Sequence, residues 1–521
     1  MKVFPPMSPK SFQPKYFHDL RVPEGIRLVG YAALLHFFDI KAPLRGYPSC
    51  VSDQFSKASK PKLEDNFQIY SKRYWPGDRI QDHLEFAFRH EIMNFLCLSQ
   101  ILKKIPIKNI EEMLAEKPTG IYARRIWFLF EYINQRKLDV EDLKAVTVQP
   151  LLDPKKYITN SNGPVSKRHR IRNNLLGNRN FCPVIQRTDK ISSAIEQKFD
   201  EKAKDIISQV SRSLIMRAAS FILLADTQAS FAIEGEKAPR SRIERWLKAV
   251  ASAGRNKLDL DELIRLHQQL ITDSRFTTIG IREDEVFLGE RDENNFPIPE
   301  FIGAKQTDLP TLLTGFFHAL ETLAESDVNP VLQAAAFAFG FVYIHPHDDG
   351  NGRIHRFILH HILAKRGYTP KEVIFPISSV LLERIEDYRS VLTNHSTPLM
   401  DCIEWEPTEK GNVRILNETI DLYRYFDCTE AVEFIFECVE HTIKYSIPSE
   451  LEYLKRYDKA ISGIEMIVEM PNERTKRLIH YIKENGGKLG KKRREGEFAL
   501  LTDKELNEIE DIVNLCFPHI G

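Results

Sequence analysis

Paired cysteines and long apolar runs are both missing from this chain of 521 residues. Its seven cysteines are odd in number, scattered and without the paired spacing of a metal site, which favours a reducing compartment. The first residues lack the apolar core of a secretion signal. The longest apolar run, residues 334–344, is too short to cross a bilayer. We therefore expect a cytoplasmic protein without a membrane segment.

An excess of one charge is also absent, because Lys plus Arg and Asp plus Glu both total 73. This balance gives the whole chain no bias toward nucleic acid or an anionic membrane. Apolar residues make up 42% and charged residues 28%, which is typical of an ordinary soluble protein. The length predicts roughly three domains and a sizeable core.

One short segment concentrates the residues that carry chemistry. Residues 345–356 read His-Pro-His-Asp-Asp-Gly-Asn-Gly-Arg-Ile-His-Arg and lie between two apolar stretches, 331–344 and 357–363. This arrangement predicts a loop that opens a helix. Backbone N–H groups point outward at such a place, and the helix dipole favours an anion.

The glycines and arginines of this loop suit a diphosphate. Gly350 and Gly352 let the backbone around Asn351 approach a ligand closely, and successive N–H groups there form an anion-binding concavity. Arg353 and Arg356 are three residues apart, so on a helix they lie on roughly the same face. Two guanidinium groups in this position can clamp neighbouring phosphates.

Two further side chains complete the candidate site. Asp349 stands just before the glycine turn, where a carboxylate can hold Mg²⁺ against phosphate oxygens. His345 ends the preceding helix, and an ordinary histidine pKa of about 6.5 suits a general base at neutral pH. The loop therefore predicts a phosphate site with a base beside it.

The order His-Pro-x-x-Asp-Gly-Asn-Gly-Arg-x-x-Arg resembles the signature of the Fic family, whose common activity is AMP transfer from ATP to a protein hydroxyl. The resemblance implies that ATP and Mg²⁺ are the ligands, that His345 deprotonates the target and that Asp349 binds the metal. It implies phosphate contacts from Gly350, Asn351, Gly352, Arg353 and Arg356. His347 departs from the family, which usually has a phenylalanine there that packs inward and anchors the loop.

An upstream pattern resembles the inhibitory motif of one class of this family. Ser230 and Glu234 are four residues apart and Gly235 follows, after a stretch at 206–229 with helical periodicity. The resemblance implies that Glu234 pairs with Arg356 and occupies the γ-phosphate position. Some relatives use the same glutamate to remove AMP, so a bifunctional enzyme stays open.

Residues 286–302, between these two motifs, read as two short extended pieces around a polar turn at 292–295. In the family, the corresponding segment is a β-hairpin flap that holds the target chain near the active site by strand addition. We expect an unknown target protein to dock there. Self-modification and a homodimer are further options that the sequence leaves open.

The expected fold class is mainly α: a Fic-type helical core with a small β-hairpin flap, a helical N-terminal domain and a C-terminal helical, winged-helix-like module. The expected segments are an N-terminal mixed or helical domain (1–148), a linker with a basic cluster (149–189), the catalytic domain with its inhibitory helix (190–400), a helical extension (401–470) and the C-terminal module (471–521). In that module we expect a helix, a basic turn at 486–494 whose residues Lys491 to Arg494 could contact DNA, a short strand and a last helix from Asp503.

Two alternative functions remain. A metal-dependent phosphohydrolase would use His345, His347, Asp348 and Asp349 as ligands, but it leaves the glycines and arginines without a task. A DNA-binding regulator would use the basic C-terminal module, with a weak or self-modifying Fic site. A solvated or acid-paired loop is the favoured interpretation of the basic cluster at 167–172, and a solvated charged turn that of the C-terminal one.

Overall fold

The structure is a computed structural model that describes residues 13–55, 60–271, 275, 277–371 and 373–518. As expected from the sequence, the fold is mainly α. The helices are α1 Gly30–Phe37, α2 Ile80–His90, α3 Phe95–Lys104, α4 Ile107–Glu116, α5 Ile121–Asn134, α6 Asp189–Glu196, α7 Phe199–Ser208, α8 Arg212–Ile233, α9 Arg240–Ala251, α10 Leu260–Leu270, α11 Leu309–Leu323, α12 Pro330–Ile344, α13 Asn351–Lys365, α14 Ile377–Glu383, α15 Ile385–Met400, α16 Ile420–Arg424, α17 Thr429–His441, α18 Ile447–Glu465, α19 Asn472–Glu484, α20 Lys491–Glu495 and α21 Asp503–Cys516.

The strands are short and form small, separate sheets. They are β1 Tyr16–Phe17, β2 Leu20–Arg21, β3 Ile26–Leu28, β4 Ser49–Ser52, β5 Lys62–Glu64, β6 Phe67–Ser71, β7 Gln149–Pro150, β8 Val165–Ser166, β9 Ile171–Arg172, β10 Cys182–Val184, β11 Phe287–Arg291, β12 Pro297–Ile302, β13 Trp405–Pro407, β14 Val413–Ile415 and β15 Tyr425–Asp427. The N-terminal region contains a four-stranded sheet in the order β3-β4-β6-β5, so it is not purely helical.

The loop after α12 is held between two buried helices. α12 is apolar on every side and nearly all of its residues are inaccessible, as in a helix surrounded by other elements. It starts at Pro330 behind the Asn329 cap and ends at His345, whose φ of 55° breaks the helix. α13 begins after Gly350, whose φ of 84° turns the chain back.

The stretch 149–189, predicted as a linker, packs as part of the main core. It forms the three-stranded sheet β7-β9-β8, and β10 pairs in parallel with β15 from far along the chain. Leu151 and Phe181 of this stretch are fully buried. One continuous apolar core thus runs from the N-terminal region through this stretch to α18. The proposed domain boundaries remain predictions.

The basic cluster at 167–172 is paired with acidic groups. Arg168 lies 2.9 Å from Glu131 and 2.5 Å from Asp142, and its own side chain is 11% exposed. His169 lies 3.1 Å from the same Glu131. These contacts account for the cluster as an acid-paired loop.

The C-terminal module differs from the sequence prediction. Lys491–Glu495, at the end of the predicted basic turn, is a short helix, and residues 496–500 form turns rather than a strand. Phe498 packs into a separate small core, whereas Leu500 is 92% exposed. A short apolar piece of this kind needs a partner strand to become a strand, and none of the described residues supplies one. The last helix, α21, begins at Asp503 as predicted.

No helix within the described part of the chain is both long and apolar enough to cross a membrane.

Candidate active site

The loop between α12 and α13 is closed by the side chain of Asn351. Its Oδ1 accepts the His347 N–H at 3.0 Å, and its Nδ2 donates to the His347 carbonyl at 2.8 Å. Asn351 is buried, so this side chain shapes the turn rather than reaching a ligand. The N-terminal amides of α13, including those of Gly352 and Arg353, remain at the open end of the helix.

His345 is held in one tautomer. Its Nδ1 lies 3.1 Å from the Val342 carbonyl, and because a carbonyl only accepts, Nδ1 carries the proton. Nε2 is therefore the unprotonated nitrogen. Burial lowers the pKa of His345 to about 4, and the nearby Arg282 charge adds to this effect. The imidazole is consequently neutral at physiological pH and able to accept a proton through Nε2.

This low pKa predicts the pH dependence of any reaction in which His345 is the base. The rate should stay flat between about pH 6 and 8 and fall only as the pH approaches 4, when His345 takes up a proton. Stability should change in the same direction, because an unfolded histidine titrates near 6.5 while the folded one resists protonation down to about 4. The contribution of His345 to the free energy of unfolding is thus complete above pH 6.5 and is lost progressively as the pH falls below that value. A pH–rate profile tests this, and an inflection near pH 6.5 would contradict it.

Arg282 holds the backbone on both sides of the base. Its Nε donates to the His345 carbonyl at 2.8 Å, and another guanidinium nitrogen donates to the Ala304 carbonyl. Its own N–H donates to the Pro346 carbonyl at 3.0 Å. The side chain is fully buried, so the base and the end of β12 share one rigid support. Nothing in the sequence pattern marked Arg282 as part of the site.

His347, which replaces the family's phenylalanine, faces inward. It is fully buried, and its Nδ1 lies 2.6 Å from the Gly280 carbonyl. Its ring stacks on His267 at a centroid distance of 4.2 Å. The Nδ1 of His267 accepts the Gly280 N–H at 3.0 Å, so its Nε2 is protonated and donates to the Asp349 carbonyl at 3.1 Å. The two histidines thus clamp Gly280 and tie it to the loop.

Replacing His347 should affect stability according to the size of the new side chain. His347→Ala leaves a cavity against His267 and should lower the free energy of unfolding by about 2 to 4 kcal/mol. His347→Phe keeps the stack and removes the buried Nε2, which has no hydrogen-bond partner within the described residues. We expect the phenylalanine variant to lose less than half as much, because its remaining cost is the unpaired Gly280 carbonyl. Chemical denaturation measures both, and an alanine variant as stable as the parent would contradict the inward packing.

Asp349 lies at the mouth of α13 with its side chain 53% exposed. Its Oδ1 accepts the Gly350 N–H at 2.5 Å, and the terminal nitrogen Nη2 of Arg353 lies 3.1 Å from the same oxygen. Mg²⁺ in nucleotide sites is commonly bound through one or two carboxylates together with phosphate oxygens and water. The single half-exposed carboxylate of Asp349 beside a helix N-terminus fits a Mg²⁺ ion whose other ligands are phosphate oxygens and water. Among the described residues, no group of three or more His, Cys, Asp and Glu side chains is placed to hold a metal ion.

Arg356 is buried and bound to the end of α8. Its Nε donates to Ser230 Oγ at 2.9 Å, and its Nη2 donates to the Ser230 carbonyl and to Glu234 Oε1, both at 2.7 Å. Burial opposes the ionisation of Glu234, but the charge and hydrogen bond of Arg356 outweigh it, so the pKa of Glu234 lies below its ordinary value. The carboxylate also approaches Gly352 so closely that a Cβ there would collide with it.

A second buried contact anchors α8 on α13. Asp226 Oδ2 lies 2.9 Å from His360 Nε2 and accepts a hydrogen bond from Ser378 Oγ at 2.9 Å. Its Oδ1 accepts the Ser379 N–H at 3.2 Å. Asp226 precedes Ser230 by one helical turn, so both face α13. These contacts hold α8, whose C-terminal end carries Glu234, against the core.

Arg353 is also engaged by an acidic residue that the sequence pattern did not single out. Its Nη1 lies 2.8 Å from Glu236 Oε1, and its Nη2 lies 3.1 Å from Asp349. The Arg353 side chain is 1% exposed and covers the ring of Phe231. Glu236 follows Glu234 by two residues, so an acidic residue next to the motif was the available signal.

The predicted flap is a hairpin. β11 pairs antiparallel with β12, and the register shifts between Leu288 and Gly289. Phe301 in β12 places its ring 5.8 Å from the ring of His345. Leu288 and Ile298 are about half exposed on this hairpin. The flap thus lies beside the base with apolar side chains facing outward.

Residues 257–363 match the Fic/DOC family. The chain is 29% identical over 120 residues to the protein adenylyltransferase Fic of Drosophila virilis, covering 23% of this chain and 22% of that protein. It is 39% identical over 121 residues to the protein of the same name from Drosophila grimshawi, covering 23% of each. It is 25% identical over 144 residues to the protein adenylyltransferase fic-1 of Caenorhabditis elegans, covering 27% of this chain and 25% of that one. The chain spans about a quarter of the length of these curated relatives.

Two solved structures are also similar to this chain. A Fic family protein from Desulfovibrio desulfuricans G20 gives a TM-score of 0.36 at 18% identity and covers 60% of this chain and 87% of its own. A Fic domain containing signaling protein from Bacteroides thetaiotaomicron gives 0.35 at 17% identity, with 50% and 97% covered. The segment that matches the Fic/DOC family contains the loop and the flap, while Ser230, Glu234 and Glu236 precede it.

Proposed function

We propose that this protein is a protein adenylyltransferase that moves AMP from ATP to a hydroxyl side chain of a target protein or of itself. One observation carries the proposal: a neutral His345 with an unprotonated Nε2 begins the short loop that leads into α13, and two buried arginines lie in the first two turns of that helix. The Fic/DOC match and the named relatives support ATP as the substrate.

The reaction requires a base and a site for the leaving diphosphate. The target hydroxyl oxygen attacks the α-phosphorus, its proton passes to His345 Nε2, and the bond between the α-phosphorus and the bridging oxygen breaks. Diphosphate leaves with the bonding electron pair, and the α13 amides with Arg353 and Arg356 hold it. Mg²⁺, when bound at Asp349, would neutralise part of the phosphate charge.

Glu234 is the proposed brake on this reaction. Its carboxylate lies on Arg356 and against Gly352, where a terminal phosphate would otherwise bind. An anion in that place competes with the phosphate for the same guanidinium group. Removal of AMP through the same glutamate remains compatible with this arrangement.

The flap is the proposed docking place for the target. An extended segment adding to the hairpin at 286–302 would run beside His345, because Phe301 contacts the base from this hairpin. Exposed Leu288 and Ile298 offer apolar contacts to its side chains.

The test is transfer of label from ATP to protein by the Glu234→Gly variant, alone and with cell lysate. Label in the α-phosphate should become attached to protein, and label in the γ-phosphate should not. Attachment of the γ-label would identify a kinase, and release of free phosphate without attachment would identify a hydrolase. Either result would reject the proposal.

A further inference from the structure

We propose that Glu236 is a second carboxylate of the brake, which blocks Arg353 as Glu234 blocks Arg356. The proposal rests on the proposed function, because it assigns a regulatory residue to the same nucleotide site. It predicts that removing Glu234 alone releases only part of the inhibition.

The first support is the state of Arg353. The Arg353 side chain is 1% exposed, yet among the described residues only its Nη2 makes hydrogen bonds, both of them to Asp349. Nε and Nη1 have no hydrogen-bond partner within the described residues, although Nη1 lies 2.8 Å from Glu236. The contact with Glu236 is thus an ion pair without hydrogen-bond alignment. A buried cation with two unsatisfied nitrogens favours a better-fitting anion, such as phosphate.

The second support is competition around Asp349. The guanidinium group of Arg353 pairs with Glu236 on one side and with Asp349 on the other. A phosphate that reaches Arg353 must displace one of these two carboxylates. Asp349 is the carboxylate that fits Mg²⁺, so a magnesium-bound nucleotide needs Asp349 kept in the site. Glu236 is therefore the group that has to leave.

The third support is the set of contacts that hold Glu236 in place. Its N–H donates to the Phe231 carbonyl at 3.1 Å, which folds the chain back over the end of α8. Its other oxygen lies 3.0 Å from Arg242, and the guanidinium groups of Arg242 and Arg353 both lie over the Phe231 ring at 5.4 Å. Glu236 thus bridges two cations on one aromatic surface.

Glu234 and Glu236 flank Gly235, whose φ is 72° and where an added Cβ would meet no other atom within 4 Å. Because Gly235 lies between the two carboxylates, a change in its backbone conformation moves Glu236 relative to Glu234 and α8. Release of Glu236 is then a rotation at Gly235, while Asp226 keeps α8 on α13.

The experiment measures MgATP binding by calorimetry for the parent chain, Glu236→Gln, Glu236→Asp, Glu234→Gly and the double variant Glu234→Gly with Glu236→Gln. Glu236→Gln should tighten binding roughly tenfold, and the double variant should bind more tightly than Glu234→Gly alone. Glu236→Asp keeps the charge but is shorter by one methylene, so it should also tighten binding if reach to Arg353 is what matters. Glu244→Gln, which removes an exposed carboxylate on α9, is the matched control and should bind like the parent.

Two results would overturn the proposal. One is unchanged MgATP affinity for Glu236→Gln in both backgrounds. The other is equal tightening by Glu244→Gln with none by Glu236→Asp, because that pattern reports only overall charge. The binding measurement is independent of AMP transfer. If the Glu236 variants bind MgATP more tightly but no protein becomes labelled, the proposed function is rejected and the second brake is kept. If Glu234→Gly transfers AMP but the Glu236 variants do not change MgATP affinity, the second brake is rejected and the proposed function is kept.

Discussion

His345→Ala is expected to lower AMP transfer by about 10² to 10⁴ when introduced into the active Glu234→Gly chain. The reason is that the target hydroxyl would lose the neutral Nε2 that accepts its proton. The measurement is the initial rate of α-labelled ATP incorporation into protein.

Nucleotide binding provides the control for this prediction. His345 ends α12, whereas the proposed phosphate contacts come from α13, so MgATP affinity should change little. His318→Ala, an exposed histidine on α11, should leave the rate unchanged. A His345→Ala rate within a factor of a few of the parent would remove the base from the mechanism.

Glu234→Gly is expected to raise AMP transfer by about 10- to 100-fold, the range that a charge-assisted hydrogen bond to a buried arginine represents. The gain follows because the carboxylate no longer occupies Arg356 and the space beside Gly352. Glu234 follows the last residue of α8, so glycine at this place costs the helix little. The measurement is the rate of labelled AMP incorporation at a fixed MgATP concentration.

Glu234→Gln separates charge from size in this second prediction. Glutamine fills the same space but cannot form the ion pair, so its rate should lie between those of the parent and the glycine variant. A glycine variant no faster than the parent would contradict the brake. An increase in Glu234→Gly that also appears in Glu244→Gln would show a general charge effect instead.

The local parts of the candidate site could be predicted because neighbouring residues determine them. The helix break at His345, the turn at Gly350 and the start of α13 follow from an apolar run, a glycine turn and a second apolar run. The flap hairpin follows from two extended pieces around a polar turn. The contact between Glu234 and Arg356 joins distant residues, and only the family resemblance implied it.

The supports of the site could not be predicted because they depend on contacts far apart in the sequence. Arg282 and His267 lie about 60 to 80 residues before their partners in the loop, and nothing in their own neighbourhoods marks them. The stretch 149–189 resembles a linker in its proline, asparagine and glycine content, yet its strands find partners elsewhere. Tertiary packing also determines the conformation of the short apolar segment before α21, where Phe498 is buried although no strand forms.

We expect the amides at the start of α13, with Arg353 and Arg356, to hold the phosphates of ATP once Glu234 has left Arg356 and Glu236 has left Arg353. The most direct measurement is a crystal structure of the Glu234→Gly variant with Mg²⁺ and ATP. We predict that the terminal phosphates lie at these groups, the metal beside Asp349 and the α-phosphorus facing His345 Nε2. A triphosphate bound away from the α13 amides, or lying with its α-phosphorus out of reach of His345, would contradict it.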